Sequence, residues 1–198
     1  MNEQQYWNSF YSKQNIEIKN PSTFAIFMKD YISKNDKVLE LGCGNGRDTL
    51  YLKDYCSEIL AIDSSQETIN NLLNLKLQNN NFKWLDVSNI EKIEYLPNII
   101  YSRFFLHSID ENSEKILFNW LGKLPAQTMF CLECRSEKDI ELPKHFGTTH
   151  YRRGINLENL VFSLKNIGYD IILSIESNGL AVYKDEDPIV IRLISRKK

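Results

Sequence analysis

The run Val38-Leu39-Glu40-Leu41-Gly42-Cys43-Gly44-Asn45-Gly46-Arg47-Asp48 constrains this chain more than any other stretch. A short apolar segment carrying one acid breaks into glycines at alternate positions, and helix-compatible sequence follows. That pattern reads as a buried parallel strand, a tight turn and a helix start, the usual seat of a nucleotide-like ligand in an α/β sheet. Spacing narrows the ligand. A dinucleotide fingerprint needs glycine at position 47, where Arg47 stands. Glu40 adds a carboxylate where a pyrophosphate would be repelled, so the loop suits a cationic ligand better.

Three later segments repeat the logic. Ile59-Leu60-Ala61-Ile62-Asp63 reads as a second strand ending in an acid placed to take both ribose hydroxyls of a nucleoside. Phe82-Lys83-Trp84-Leu85-Asp86-Val87 reads as a third strand ending in Asp86, and Ile99-Ile100-Tyr101-Ser102 as a fourth running into Arg103. Acids at strand ends also cap helices. In series with Glu40 and the glycines, the ligand reading prevails.

On these residues the chain resembles the class I S-adenosylmethionine (SAM)-dependent methyltransferases over nearly its whole length. The resemblance implies a doubly wound, mainly parallel seven-stranded α/β sheet with helices on both faces and an antiparallel edge hairpin. It implies SAM as cofactor, S-adenosylhomocysteine (SAH) as product and no required metal. It assigns to the cofactor Tyr11, Glu40, Gly42, Cys43, Gly44, Asn45, Gly46, Asp63, Ser64, Asp86, Val87 and Ser102, with Asp86 against the adenine amino group. A narrower likeness rests on Tyr101-Ser102-Arg103-Phe104-Phe105-Leu106-His107-Ser108-Ile109, on His150-Tyr151-Arg152-Arg153 and on Gly179-Leu180-Ala181-Val182-Tyr183-Lys184. These segments are similar to small methyltransferases of bacterial surface-polysaccharide gene clusters, including those of capsule phosphoramidate modification. Gly154 stands where that group carries an aromatic.

Composition fits this reading. The 198 residues are 42% apolar and 25% charged, with a formal net charge of -2. That balance argues against a general nucleic-acid or membrane-surface binder. No apolar run approaches the ~20 residues of a membrane span. Met1-Asn2-Glu3-Gln4-Gln5 lacks the basic start of a signal peptide, so a cytoplasmic location is the expectation. Cys131-x-x-Cys134 has no second pair, which leaves a zinc site poorly supported. Cys43 reads as a small side chain filling the turn.

A single domain spanning 1–198 is expected, with residues 1–35 as an N-terminal helical cap and 135–154 as a substrate-side loop. Phe24, Phe27, Met28 and Tyr31 mark a helix face after Pro21 and Ser22. Tyr6, Trp7 or Tyr11 is a candidate cofactor lid. Ser64-x-x-Glu67 and Ser108-x-x-Glu111 read as capping boxes opening helices, and Gly122 with Pro125 as a helix end. Thr128–Leu132 reads as the fifth strand, Asn156–Ile167 as a helix closed by Gly168, and Tyr169–Ile175 and Pro188–Ser195 as the last strands.

Residues beyond the fourth and fifth strands face the acceptor in such sheets. Arg103, His107 and His150 are the candidate catalytic residues; Arg135, Tyr151, Arg152 and Arg153 are candidates for substrate binding. Clustered arginines suit bidentate recognition of phosphate or carboxylate, hence a small anionic acceptor. The competing view pairs these arginines with Glu133, Glu137, Asp139 or Glu141. A phosphoryl oxygen needs no base, whereas a sugar hydroxyl needs His107 or His150. A nucleic-acid amine methyltransferase is disfavoured, because Ser102-Arg103-Phe104-Phe105 lacks the acidic or Asn residue, two prolines and aromatic of that group. A catalytically silent SAM-binding subunit is the rival of another class. Oligomeric state is left open.

Overall fold

The computed structural model describes residues 20–75, 81–139 and 153–198. The chain divides into two compact units, Met1–Ile99 and Ile100–Lys198. The first holds helix α1 (Thr23–Met28), strand β1 (Lys37–Leu41), α2 (Arg47–Leu52), β2 (Glu58–Asp63), α3 (Gln66–Asn74), β3 (Asn81–Trp84) and a 3-10 segment (Val87–Lys92). Strand β4 (Ile99–Arg103) leads into the second. There follow a 3-10 turn (Leu106–Ser108), α4 (Glu111–Lys123), β5 (Met129–Arg135), α5 (Leu157–Asn166), β6 (Tyr169–Ser177) and β7 (Val190–Lys197). The strands form one seven-stranded sheet in the order β3-β2-β1-β4-β5-β7-β6. This is the mainly parallel sheet with an antiparallel edge that the sequence resemblance implies.

In the first unit, β1 runs parallel to β2 with Lys37 opposite Glu58 and Leu41 opposite Ile62. Strand β2 runs parallel to β3. Val38, Leu39 and Leu41 are wholly buried, as the near-continuous apolar run of an inner parallel strand requires. Ser22 caps α1 by accepting from Ala25 N–H at 3.0 Å. Phe24, Ala25 and Met28 form its buried face. In the second unit, β7 pairs antiparallel with β5 and β6. No helix of the described residues is long and apolar enough to cross a membrane.

Several boundaries move from the sequence reading, each for a physical reason. Helix α3 is capped by Ser65, whose hydroxyl accepts from Thr68 N–H at 3.2 Å, one residue after the expected Ser64. Asp110, accepting from Ser113 N–H at 2.7 Å, caps α4 in place of Ser108. The Ser108 hydroxyl instead donates to the Phe104 carbonyl at 3.1 Å. Gly122 lies inside α4 rather than ending it. Strand β3 stops at Trp84, because Asp86 turns to cap the 3-10 segment. Strand β5 continues three residues past Leu132, through Glu133 and Arg135, and every residue in it is buried.

Candidate functional site

Beyond the carboxyl end of β1 the chain makes a turn that only glycine suits. Gly42, Gly44 and Gly46 have φ of 71°, 51° and 74°, the left-handed region that a Cβ disfavours. At Gly46 there is no room either: a Cβ would sit 2.9 Å from Leu72 Cδ2 and 3.2 Å from Phe82 Cζ. Cys43 is buried in the same small core as Ala61, Ile69, Leu72 and Phe82. Burial, and then the Asp63 charge, push its thiol well up, so it packs rather than reacts. Asn45 Oδ1 accepts from Arg47 N–H at 3.4 Å.

Three carboxylates surround this turn. Glu40 is buried and accepts from the Thr49 hydroxyl at 2.5 Å. Burial, and then the nearby Asp48 charge, push its carboxyl up to about 8. Asp48 accepts from Ser22 N–H and from the Ser22 hydroxyl, both at 2.7 Å. That tie between α1 and the turn left no trace in the sequence pattern, since its partners lie 26 residues apart. Asp63 is buried; one oxygen accepts from Gly44 N–H and the other from Ser65 N–H, each at 2.9 Å. It therefore braces the turn and the start of α3 together, and burial raises its carboxyl.

Asp86 acts as a cap, accepting from Ser88 N–H at 2.8 Å and from the Ser88 hydroxyl at 2.6 Å. Val87 is buried beside it. The Ser64 carbonyl accepts from the Trp84 indole at 2.9 Å. Tyr11, with Tyr6 and Trp7, lies outside the described residues.

In the second unit the charged residues pair. Glu133, with no exposure, accepts from Arg103 Nε at 2.9 Å and from Arg192 Nε at 2.7 Å. Arg192 stands directly opposite it in the β5–β7 register. Arg135 donates to Asp139 at 2.6 Å and to Glu186 at 3.0 Å, and its Nε is buried without a partner among the described residues. Arg153 pairs with Glu114 and donates to the Ile109 carbonyl at 2.9 Å and the Leu106 carbonyl at 3.2 Å. Among the described residues, Arg103, Arg135 and Arg153 each have an acidic partner. Asp139, four residues from Arg135, was within reach of sequence reasoning; Glu186 and Arg192 come from distant segments and were not.

His107 is buried, and its Nδ1 accepts from Arg135 N–H at 3.1 Å. In the neutral ring that contact places the proton on Nε2. Ser102 is buried, and its hydroxyl has no partner among the described residues. His150, Tyr151 and Arg152 lie outside the described residues. Cys131 and Cys134 are wholly buried in β5, and burial raises both thiols. No group of described residues is arranged to hold a metal ion.

A methyltransferase domain family model matches residues 18–172, most of the chain. The chain belongs to this methyltransferase family. No curated protein matches it. Among solved structures it is similar to a SAM-dependent methyltransferase from Anabaena variabilis, with 17% identity and a TM-score of 0.74 over 98% of this chain and 93% of that one. A SAM-dependent methyltransferase from Clostridium acetobutylicum gives 17% identity and 0.68 over 99% of each chain. One from Methanosarcina mazei gives 15% and 0.70 over 86% of this chain and 96% of that one. At such identities the likeness is one of fold, and it places this methyltransferase in the class I architecture.

Proposed function

We propose that this methyltransferase uses SAM to methylate an oxygen of a small anionic, phosphoryl-bearing acceptor, as in phosphoramidate modification during capsular polysaccharide assembly. The observation that carries the cofactor reading is the glycine turn ringed by Glu40, Asp48 and Asp63. The group and the residues fit: the backbone turn admits close approach, and the buried acids complement a ligand bearing a sulfonium and an ammonium. Arg47 Nε stands 3.8 Å from Asp48. When bound, SAM supplies an electrophilic methyl whose bond to sulfur breaks as the acceptor oxygen attacks.

The chain's own contribution is alignment. Holding nucleophile and methyl in line replaces a bimolecular encounter with a positioned one. Glu40 and Asp63 are the proposed cofactor anchors, and Arg103 is the proposed grip on the acceptor's anionic group. A phosphoryl oxygen is already deprotonated, so no group must take a proton. The His107 tautomer supports that choice over a sugar hydroxyl, which would need a base.

The test is transfer from methyl-labelled SAM to a panel of methyl phosphate, simple phosphoramidates, free sugars and sugar phosphates. Transfer to phosphoryl oxygens, with a rate nearly flat across neutral pH at saturating SAM, is the expected result. Labelling confined to neutral sugar hydroxyls, falling off at low pH, would favour the hydroxyl reading. SAH binding with no transfer to any acceptor would favour a silent subunit.

A further inference from the structure

We propose that Phe104 is a positioning residue that aims the Arg103 guanidinium at a single anionic group of the methyl acceptor. This rests on the anionic-acceptor reading and adds which guanidinium serves and what orients it.

Four described arginines of the second unit, Arg103, Arg135, Arg153 and Arg192, differ in what remains of their donors. Arg135 gives one terminal nitrogen to Asp139 and the other to Glu186. Arg153 is tied to Glu114 and to two carbonyls. Arg192 is tied to Glu133 and to the Leu180 carbonyl. Arg103 is engaged through Nε alone, and its two terminal nitrogens make no hydrogen bond to the described residues. Its side chain keeps 16% exposure, enough to meet a ligand and little enough to exclude most water.

Two contacts fix that group. Pairing through Nε sets one edge of the planar guanidinium against Glu133. The ring of Phe104, 4.2 Å from the Arg103 Cζ, sets its plane. The remaining edge presents two parallel N–H donors, the geometry that matches a phosphate or carboxylate. The same ring lies 5.8 Å from the Arg135 Cζ and meets the edge of His107 at 5.4 Å between centroids. One aromatic side chain therefore lies beside Arg103, Arg135 and His107.

The backbone of Phe104 shows that this placement is imposed. Its φ is 52°, a left-handed conformation uncommon for a bulky residue and concentrated at functional sites. It is held there from both sides. Phe104 N–H donates to the Glu133 carbonyl at 2.8 Å, and its carbonyl accepts from the Ser108 hydroxyl at 3.1 Å. Beside the ring, Arg103 and Arg135 are matched by Glu133, Asp139 and Glu186. An anion is thus recognised by one directed fork, not by a general positive field.

The test is side-chain NMR of 15N-arginine-labelled protein, loaded with SAH and titrated with methyl phosphate. In the wild type the Arg103 signals should move saturably. Phe104→Leu should weaken the response about fivefold to tenfold, the scale of a partly desolvated cation–ring contact. SAH affinity and melting temperature should stay near wild type, and Phe104→Tyr, which keeps the ring, should restore the response. Phe104→Met serves as a second ringless variant if Phe104→Leu does not fold. Wild-type titration in the ringless variants, or Arg103 signals that never respond in the wild type, would overturn the proposal. Calorimetric SAH binding in the same samples judges the methyltransferase reading separately.

Discussion

Glu40 couples the turn to pH. Its ordinary carboxyl value of 4.5 is pushed up to about 8 in the fold, chiefly by burial and then by Asp48. The folded chain therefore holds a proton that the unfolded chain has already lost. Stability from this group is full below 4.5 and is lost as pH rises through about 8. The apo protein should melt progressively lower between about pH 5 and about pH 8, a loss on the order of a few kcal/mol at most. Glu40→Gln mimics the protonated acid and should flatten the profile. A ligand ammonium favours the ionised acid, so SAH affinity should rise over the same interval in the wild type and not in the variant. Calorimetric scans across pH check both; parallel profiles for wild type and Glu40→Gln would remove Glu40 as the titrating group. The glycine spacing was legible because left-handed backbone leaves a compositional mark. The Glu40–Thr49 bond and the Ser22–Asp48 tie left none, because serine, threonine and aspartate serve equally in caps and loops.

At the scale of elements, the parallel strands were legible and their polar ends were not. Strands β1 and β2 announce themselves by unbroken apolar runs. Strand β5 looked shorter because Glu133 and Arg135 break the apolar pattern, yet each is neutralised inside the fold, Glu133 by two arginines and Arg135 by two acids. The caps were misplaced by one or two residues, since neighbouring serines and aspartates compete for the same role. The arginines that end β4 and β5 are held differently: Arg135 by two acids, Arg103 by a Glu133 that it shares with Arg192. Arg135→Met would leave Asp139 and Glu186 buried without their cation and should cost about 3–5 kcal/mol. Arg103→Met leaves Glu133 with Arg192 and should cost distinctly less. Urea unfolding of the two variants ranks them. Equal stability would mean that Arg135 is not needed by its carboxylates and is available to a ligand.

For the whole molecule, the proposed roles separate along the chain. The carboxylates and glycines assigned to the cofactor lie between Glu40 and Asp86, within Met1–Ile99. The described residues assigned to the acceptor lie between Arg103 and Arg153, within Ile100–Lys198. Each ligand should then leave its own footprint. A ligand that binds only the native state stabilises it by about 2.7 kcal/mol at a hundred times its Kd. Local opening is suppressed most where backbone groups contact or brace the ligand. Saturating SAH should raise the melting temperature and slow amide exchange across Gly42–Asp48 and Asp63–Ser65, because the Gly44 and Ser65 amides already bond to the Asp63 carboxylate that the ligand is proposed to engage. Methyl phosphate added to the SAH complex should slow exchange instead around Arg103–Ser108, where the Phe104 and Ser108 amides close the turn on the Glu133 and Phe105 carbonyls. Exchange mass spectrometry on one sample with sequential additions resolves the two. SAH protection appearing around Arg103–Ser108 and absent from Gly42–Asp48 would reverse the assignment of cofactor and acceptor. Protection by methyl phosphate at the glycine turn would mean that the buried acids do not repel anions, which would undercut the choice of a cationic ligand there.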